Sequence, residues 1–369
     1  MPAAARPLKI AIVNYSSSGL FHYAGCLVNA LAATDAEILF LTSCRNNLTL
    51  INQRANLTLF TQDAPHALPA FFAWFFNPRE QWLFYQAIKQ FRPDVIHLTD
   101  SHAIYVPHQW WLARYPILFT QHDPIVRQGD VYRLASRLIH RTQQRLASKI
   151  IVHGNFIKDI LVAQGIAAHT VAVIPHGDYS FYQRWRKPDV KPIPNSVLFF
   201  GRVLDYKGLD ILLRSIIELQ QAGVPAHLII AGAGDLAKYR SLLRQIPHQT
   251  IDNRAIPDEE VITYFQMSTL IALPYREASQ SGIAAIAMPA GVPIVATKVG
   301  ALPEILQDDV NSLLVEPRDV TGLTSALKRV LQDQHLRHRL AQGARQTVRT
   351  RLLWARTAQQ YYQHYQSLL

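Results

Sequence analysis

FFGRVLDYKGLDILLRSI, residues 199–216, passes from an apolar run through Gly201 and Arg202 into a polar turn, then from Lys207-Gly208 into an amphipathic stretch. The spacing predicts a strand that ends at Gly201 and a helix with Leu209, Leu212, Leu213 and Ile216 on one side. An Arg leaving a strand and a Lys entering a helix place two cations beside a helix N-terminus. There, free backbone N–H groups and the helix dipole also favour an anion. A solvated Arg and Lys flanking an ordinary turn have the same spacing.

Outward from this segment the same alternation repeats. Residues 9–15, 37–41, 92–98, 116–123, 149–153 and 171–175 read as strands separated by helical patterns. The stretch 177–194 contains Pro188, Pro192 and Pro194 and no apolar period, and reads as a linker. A second series follows at 195–201, 227–232, 269–273, 293–297 and 312–315. Strands alternating with helices predict parallel sheets covered on both faces. The expected architecture is α/β, with two Rossmann-like doubly wound domains facing a central cleft where such sheets bind ligands.

Composition agrees with a globular chain. Hydrophobic residues make up 49% of the 369 residues and charged residues 17%, enough apolar surface for two cores. No run approaches the roughly 20 apolar residues of a membrane span, and no secretory signal is evident at the N-terminus. Cys26 and Cys44 form no CxxC or zinc spacing, so the expected setting is reduced and cytoplasmic. Asn47-Leu48-Thr49 and Asn56-Leu57-Thr58 are then chance sequons.

The formal charge of +11 is concentrated in two segments. Residues 127–149 hold six basic residues against Asp130, and residues 328–356 hold eight against Asp333. Arg133, Arg137, Arg141, Arg145 and Lys149 recur every four residues and predict one helical stripe. Such a stripe at 133–149 suits an anionic membrane surface, with Phe71, Phe72, Trp74, Phe75, Phe76 and Trp82 available to insert. A solvated helix face or a packing element fits the same pattern. Nucleic acid is disfavoured, because the basic stretches lack interleaved aromatics.

A second segment, LPYREASQSGIAAIAMPAGVPIVATKVGALPEIL at 273–306, has a polar turn opening a helix of small residues. Ser279, Gln280, Ser281, Gly282 and Ile283 offer hydroxyls, a glycine and free N–H groups at that helix start. A Ser N-cap on a tightly packed helix is the plainer reading.

Taken in order, these segments together with LIIAGAGD (228–235) and NSLLVEP (311–317) resemble the GT-B retaining glycosyltransferases of family four, also called group 1. The resemblance spans nearly the whole chain and is most specific in its C-terminal half. It implies an N-terminal acceptor-side domain over 1–180, a donor-nucleotide domain over 181–350, and a terminal helix at about 351–369 crossing back to the first domain. It also implies that Arg202 and Lys207 hold the diphosphate of a nucleoside-diphosphate sugar, with Gly201 and the 279–283 turn. Ser18 and Gly19, after the first strand, would face the phosphates or the acceptor. FTQHDP (119–124) nominates His122 beside the transferred sugar, where a structural histidine is the alternative. His176 and Asp178, in IPHGDYSFY, are candidates to line the cleft or to form a hinge turn.

One departure stands out. Family members usually carry two glutamates eight positions apart, the second binding the donor ribose. Aligned on Gly291 and Pro293, Ala278 and Ile286 occupy those places. Glu277 lies one residue early, either as a substitute for the first glutamate or as an exposed turn carboxylate.

The expected reaction is sugar transfer to a glycan, lipid-linked or polysaccharide acceptor. The fixed positive groups would stabilise the leaving diphosphate, with no metal, no Asp-x-Asp signature and no cofactor beyond the donor. A sugar-nucleotide epimerase of the same fold and a non-catalytic partner subunit are the rivals.

Overall fold

Strand exits decide where side chains gather in this protein, because every paired strand runs parallel to its neighbours. The computed structural model describes residues 6–64, 68–102, 104–124 and 133–369, with the side chains of 68–71 and 133–136 excepted. Arg127 and Asp130 lie outside the described residues, as do the side chains of Phe71 and Arg133. The chain divides into two compact units, Met1–Gly177 with Trp354–Leu369, and Asp178–Leu353.

The first unit is built on a 7-stranded sheet of order β3-β2-β1-β4-β5-β6-β7. Its strands are β1 (Lys9–Asn14), β2 (Glu37–Ser43), β3 (Leu57–Gln62), β4 (Val95–Leu98), β5 (Ile117–Thr120), β6 (Lys149–Val152) and β7 (Val171–Val173). Its helices are α1 (Gly19–Leu31), α2 (Leu68–Phe75), α3 (Pro78–Phe91), α4 (Tyr105–Leu112), α5 (Arg133–Leu146) and α6 (Asn155–Ala163). The apolar runs of β1, β4, β5 and β6 are buried, as parallel strands covered on both faces must be. Val13, Leu41, Ile96 and Phe119 belong to one continuous core. Each such side chain contributes roughly 1.5–3 kcal/mol when fully buried.

The second unit has a 6-stranded sheet of order β10-β9-β8-β11-β12-β13. These strands are β8 (Ser196–Phe200), β9 (His227–Ala231), β10 (Gln249–Asp252), β11 (Leu270–Leu273), β12 (Ile294–Thr297) and β13 (Leu313–Val315). They alternate with α7 (Leu209–Gln221), α8 (Arg240–Leu243), α9 (Asp258–Met267), α10 (Gly282–Ala290), α11 (Leu302–Ile305), α12 (Val320–Gln332) and α13 (Gln334–Thr347). The last helix, α14 (Trp354–Gln366), belongs to the first unit, where its buried Tyr361 hydrogen-bonds Tyr23 of α1.

In each sheet the order of winding reverses once, between β1 and β4 and between β8 and β11. Open parallel sheets bind ligands outside the strand ends at such a reversal. The exits of β1 and β8 are therefore the places where each unit can hold chemistry.

Three sequence expectations change. Strands β3 and β10 were not anticipated. Both are sheet edges with half-exposed residues, so neither forms a continuous apolar run. The stretch read as a linker begins folded: Ser180–Trp185 is a 3-10 helix whose Phe181 and Tyr182 rings stack at 4.2 Å. Its aromatics pack without a helical period. Finally, the basic stripe is shorter than 133–149. Helix α5 ends at Leu146, and Lys149 opens β6, its Nζ donating to the His169 carbonyl at 2.9 Å. Four-residue spacing continues through a helix end that the sequence does not mark.

Candidate functional site: two strand-exit clusters

The β8 exit is shaped by glycines. Gly201 has φ +92°, and a Cβ there would lie 2.7 Å from Lys207 Nζ. Gly208 has φ +67°, and a Cβ would lie 2.0 Å from the Pro274 carbonyl oxygen. Left-handed backbone and missing side chains thus let the turn fold back on β8 and against the β11 exit.

Between these glycines, a 3-10 turn at Asp205–Lys207 carries Lys207 inward. Lys207 is buried, donates to the Phe200 carbonyl at 3.4 Å, and lies 5.9 Å from the centre of the Tyr275 ring. Burial, and secondarily the charge of Arg202, lower its pKa to about 8. Arg202 remains exposed. A bound anion would relieve both effects on Lys207.

The same cluster includes the start of α10. Ser281 caps it, its Oγ accepting from the Ala284 N–H at 3.3 Å and lying 3.4 Å from the Tyr275 hydroxyl. The N–H groups of Gly282 and Ile283 find no acceptor among the described residues. Ile283 approaches Gly201, its Cδ1 3.7 Å from where a Cβ would stand. Arg202, Lys207, Gly201, Ser281, Gly282 and Ile283 are thus brought to one strand-end cluster. Ser279 is buried and its carbonyl accepts from Ala301 N–H, while Gln280 is half-buried. Glu277 is exposed on the turn. Ala278 and Ile286 are buried and supply no carboxylate.

Two neighbours escaped the sequence reading. Arg276 donates to the Asp205 carbonyl at 2.7 Å and to the Asp210 carboxylate at 2.6 Å, tying the 205–210 turn to the β11 exit. Tyr275 forms the wall against Lys207, and burial raises its pKa. The Tyr-Arg pair after a strand was the available signal, but its partners lie some 70 positions away and only folding joins them. Asp178 is buried, its carboxylate accepting from Ser180 N–H at 2.7 Å; burial raises its pKa. The next residue, Tyr179, donates its N–H to the Ala285 carbonyl at 2.8 Å and packs beside Gly282.

The first unit presents different chemistry. After β1, Ser18 adopts φ 54°, ψ −131°, a conformation that non-glycine residues rarely take, and leads into α1 with Gly19. Asp100, buried after β4, accepts from the N–H groups of Tyr15 and Ser16 at 2.8 and 2.7 Å and so anchors this loop.

His122, His153 and His176 gather around Tyr23, with ring centres 4.6, 5.0 and 5.0 Å from it. His122 Nε2 lies 3.1 Å from the Thr99 carbonyl, and His153 Nδ1 lies 2.9 Å from that of Ile174. Those carbonyls require a proton on each nitrogen facing them. The 3.1 Å approach of His153 Nε2 to His122 Nδ1 is therefore a hydrogen bond only when the pair carries a third proton. Burial opposes that proton, holding His122 at about 3 and His153 well below the usual histidine range. His176 donates from Nδ1 to the Gly177 carbonyl at 2.6 Å and falls to about 4 for the same reason. Deeper in, His97 bridges the Tyr365 hydroxyl and Thr120 Oγ1, each at 2.7 Å. His153, His97 and Tyr23 carried no sequence signal.

Comparison with known proteins follows this division. Residues 17–177 match the family described as Glycosyltransferase Family 4, and residues 194–333 match Glycosyl transferases group 1. A D-inositol 3-phosphate glycosyltransferase of Saccharomonospora viridis is 28% identical over 296 residues, covering 72% of this chain and 68% of that protein. Sucrose-phosphate synthase from Thermosynechococcus elongatus superposes with a TM-score of 0.75 at 19% identity, covering 98% of this chain and 99% of the other. HepE of Anabaena, in complex with UDP and glucose, superposes at 0.70 and 17% identity over 98% and 100%.

Proposed function

The chain belongs to the group 1 glycosyltransferases, and on that premise we propose that it transfers a sugar, with retention at the anomeric carbon, from a nucleoside-diphosphate sugar to a glycan, lipid-linked or polysaccharide acceptor. The donor is held by the Asp178–Leu353 unit and the acceptor by the other. The observation that carries this reading is the half-desolvated cation pair, Lys207 buried and Arg202 exposed, beside the two unbonded N–H groups of α10. The complex of HepE with UDP and glucose supports a uridine nucleotide as the first donor to test.

As the anomeric bond breaks, negative charge grows on the leaving diphosphate. Arg202, Lys207 and the Gly282 and Ile283 N–H groups are already oriented to receive it, which lowers the barrier without reorganisation. That positive charge makes the proposed transfer independent of a metal. Glu277 is assigned to the donor hydroxyls, Gly19 to the donor, His122 to the transferred sugar, and Ser18, His176 and Asp178 to the lining of the site. With His122 held neutral, its part is orientation rather than proton transfer.

Buried Ile286 in place of the ribose carboxylate favours one alternative, a non-catalytic subunit that binds the nucleotide. Thermal stabilisation by UDP, UDP-sugars and other nucleoside diphosphates, followed by transfer assays, separates the two. A ligand that binds the folded state at 100 times its Kd adds about 2.7 kcal/mol. Arg202→Ala is expected to keep its fold, lose the nucleotide shift, and slow transfer about 10²–10³-fold. Unchanged transfer in that variant would refute the site assignment. Nucleotide binding without transfer would establish the alternative.

Among the described residues no helix is long and apolar enough to cross a membrane. We place peripheral contact with an anionic bilayer on α5 and on the exposed rings of Phe72, Phe76 and Trp82. Trp74 of that run is instead buried against Tyr15. Flotation with anionic liposomes at low salt tests this contact.

A further inference from the structure

Helix α5 carries the sequence RLASRLIHRTQQRL, with no acidic residue. Arg137, Arg141 and Arg145 follow one another at i, i+4 and i+8, a like-charge spacing that destabilises a helix unless something else offsets it. All three are exposed, and among the described residues none makes a hydrogen bond or ion pair. Elsewhere in the same unit arginines do find carboxylates: Arg6 pairs with Asp94 and Arg45 with Asp63.

The three arginines line one pocket of about 950 Å³, together with Pro124, His140, Gln144 and the turn Gln164-Gly165-Ile166 that follows α6. Among the described residues no carboxylate lines it. Gly165 has φ +93° and open space where a Cβ would stand, so that wall is bare backbone. The volume lies in the range of ligand-binding pockets. The opposite face of α5 is fixed, Gln143 being buried with its Nε2 donating to the Asp100 carbonyl at 2.9 Å. The arginine row therefore stands on the side of α5 away from this buried contact.

We propose that this pocket is an anion subsite that takes a phosphate or diphosphate group carried by the acceptor. Planar guanidiniums bind such oxygens in pairs, and three of them along one wall match a diphosphate better than a single charge. The assignment to the acceptor rests on the transferase reading above; anion binding by the pocket does not.

The test uses the full chain carrying Arg202→Ala, so that the β8 exit does not compete, with pyrophosphate as probe in calorimetry at low ionic strength. Saturable binding is expected. It should weaken roughly tenfold or more for each arginine removed in the Arg137→Gln, Arg141→Gln, Arg145→Gln series. It should also weaken in Gln164→Glu, a single exposed change that keeps the helix intact. No binding, or binding that survives both sets of changes, overturns the subsite. A parallel flotation compares neutral phosphatidylcholine vesicles with vesicles containing phosphatidic acid. Capture by the acidic vesicles with no binding of soluble pyrophosphate would overturn the pocket in favour of a flat membrane face. The nucleotide shift of the unaltered chain is read separately, so failure of the donor site leaves this result standing.

Discussion

Both units wind a parallel sheet that reverses at one point, yet their strand exits hold opposite electrostatics. At the β8 exit a lysine is buried and still charged below about pH 8, with an exposed arginine beside it. At or near the exits of β4, β5, β6 and β7 the first unit gathers histidines that burial keeps neutral, bonded to carbonyls, to Thr120 and to Tyr365. The same topology thus provides one place built to attract an anion and another built of neutral donors and acceptors. Winding decides where chemistry sits; the side chains at the exits decide its sign.

Acid should break this contrast first. Each lowered histidine binds its proton in the unfolded chain from about pH 6.5 downward, but in the folded chain only at lower pH, about 4 for His108 and His176 and about 3 for His122. Stability is therefore complete above 6.5 and lost as pH falls. His108, His122 and His176 each cost about 1–2 kcal/mol by pH 5, and His97 and His153, lowered in the same direction, also lie in the first unit. Hydrogen-exchange labelling after equilibration between pH 7 and pH 5 should show that unit losing protection first. In the second unit, half-buried His227 is the histidine so lowered among the described residues. Simultaneous loss in both units would contradict the comparison.

Glycine replacement sharpens it at the next level. Gly208→Ala forces a Cβ into the Pro274 carbonyl and should cost about 3 kcal/mol along with the nucleotide shift. Gly165→Ala, equally left-handed but open, should cost roughly 1 kcal/mol and leave the nucleotide shift intact. Urea unfolding with and without nucleotide measures both. Equal costs would show that close packing of the β8 turn is not what Gly208 serves.

The smallest effect concerns Lys207. Its lowered pKa means that the charged form is present below about 8 and disappears above it, so donor affinity should fall up to tenfold per pH unit from there. Lys207→Met should bind more weakly with a flat profile over that range. A wild-type profile flat to pH 10 would place the charge elsewhere.

How much was legible follows from sequence distance. The β8 turn and the α10 start are each contiguous, so their residue types, glycines and cap announce an anion-accepting end before any folding. Edge strands β3 and β10 were hidden by their solvated faces, and the end of α5 by a charge period that runs on into β6. Arg276 with Asp205 and Asp210, and Tyr275 over Lys207, needed two separate loops to meet. The histidine cluster was the least legible. His122 was nominated by resemblance, but His97 and His153 look like ordinary strand residues.

The sequence by itself determined the alternation of strands and helices, the two-unit plan and the local chemistry of the 199–216 and 273–306 segments, because those depend on neighbours within a turn or two. The tertiary structure alone decided protonation. Lys207 at about 8 and His122 at about 3 are products of burial. Burial is conferred by segments far apart in the chain, such as β1 through β7 and α14 around Tyr23, and no local pattern records the loss of water that comes with their packing.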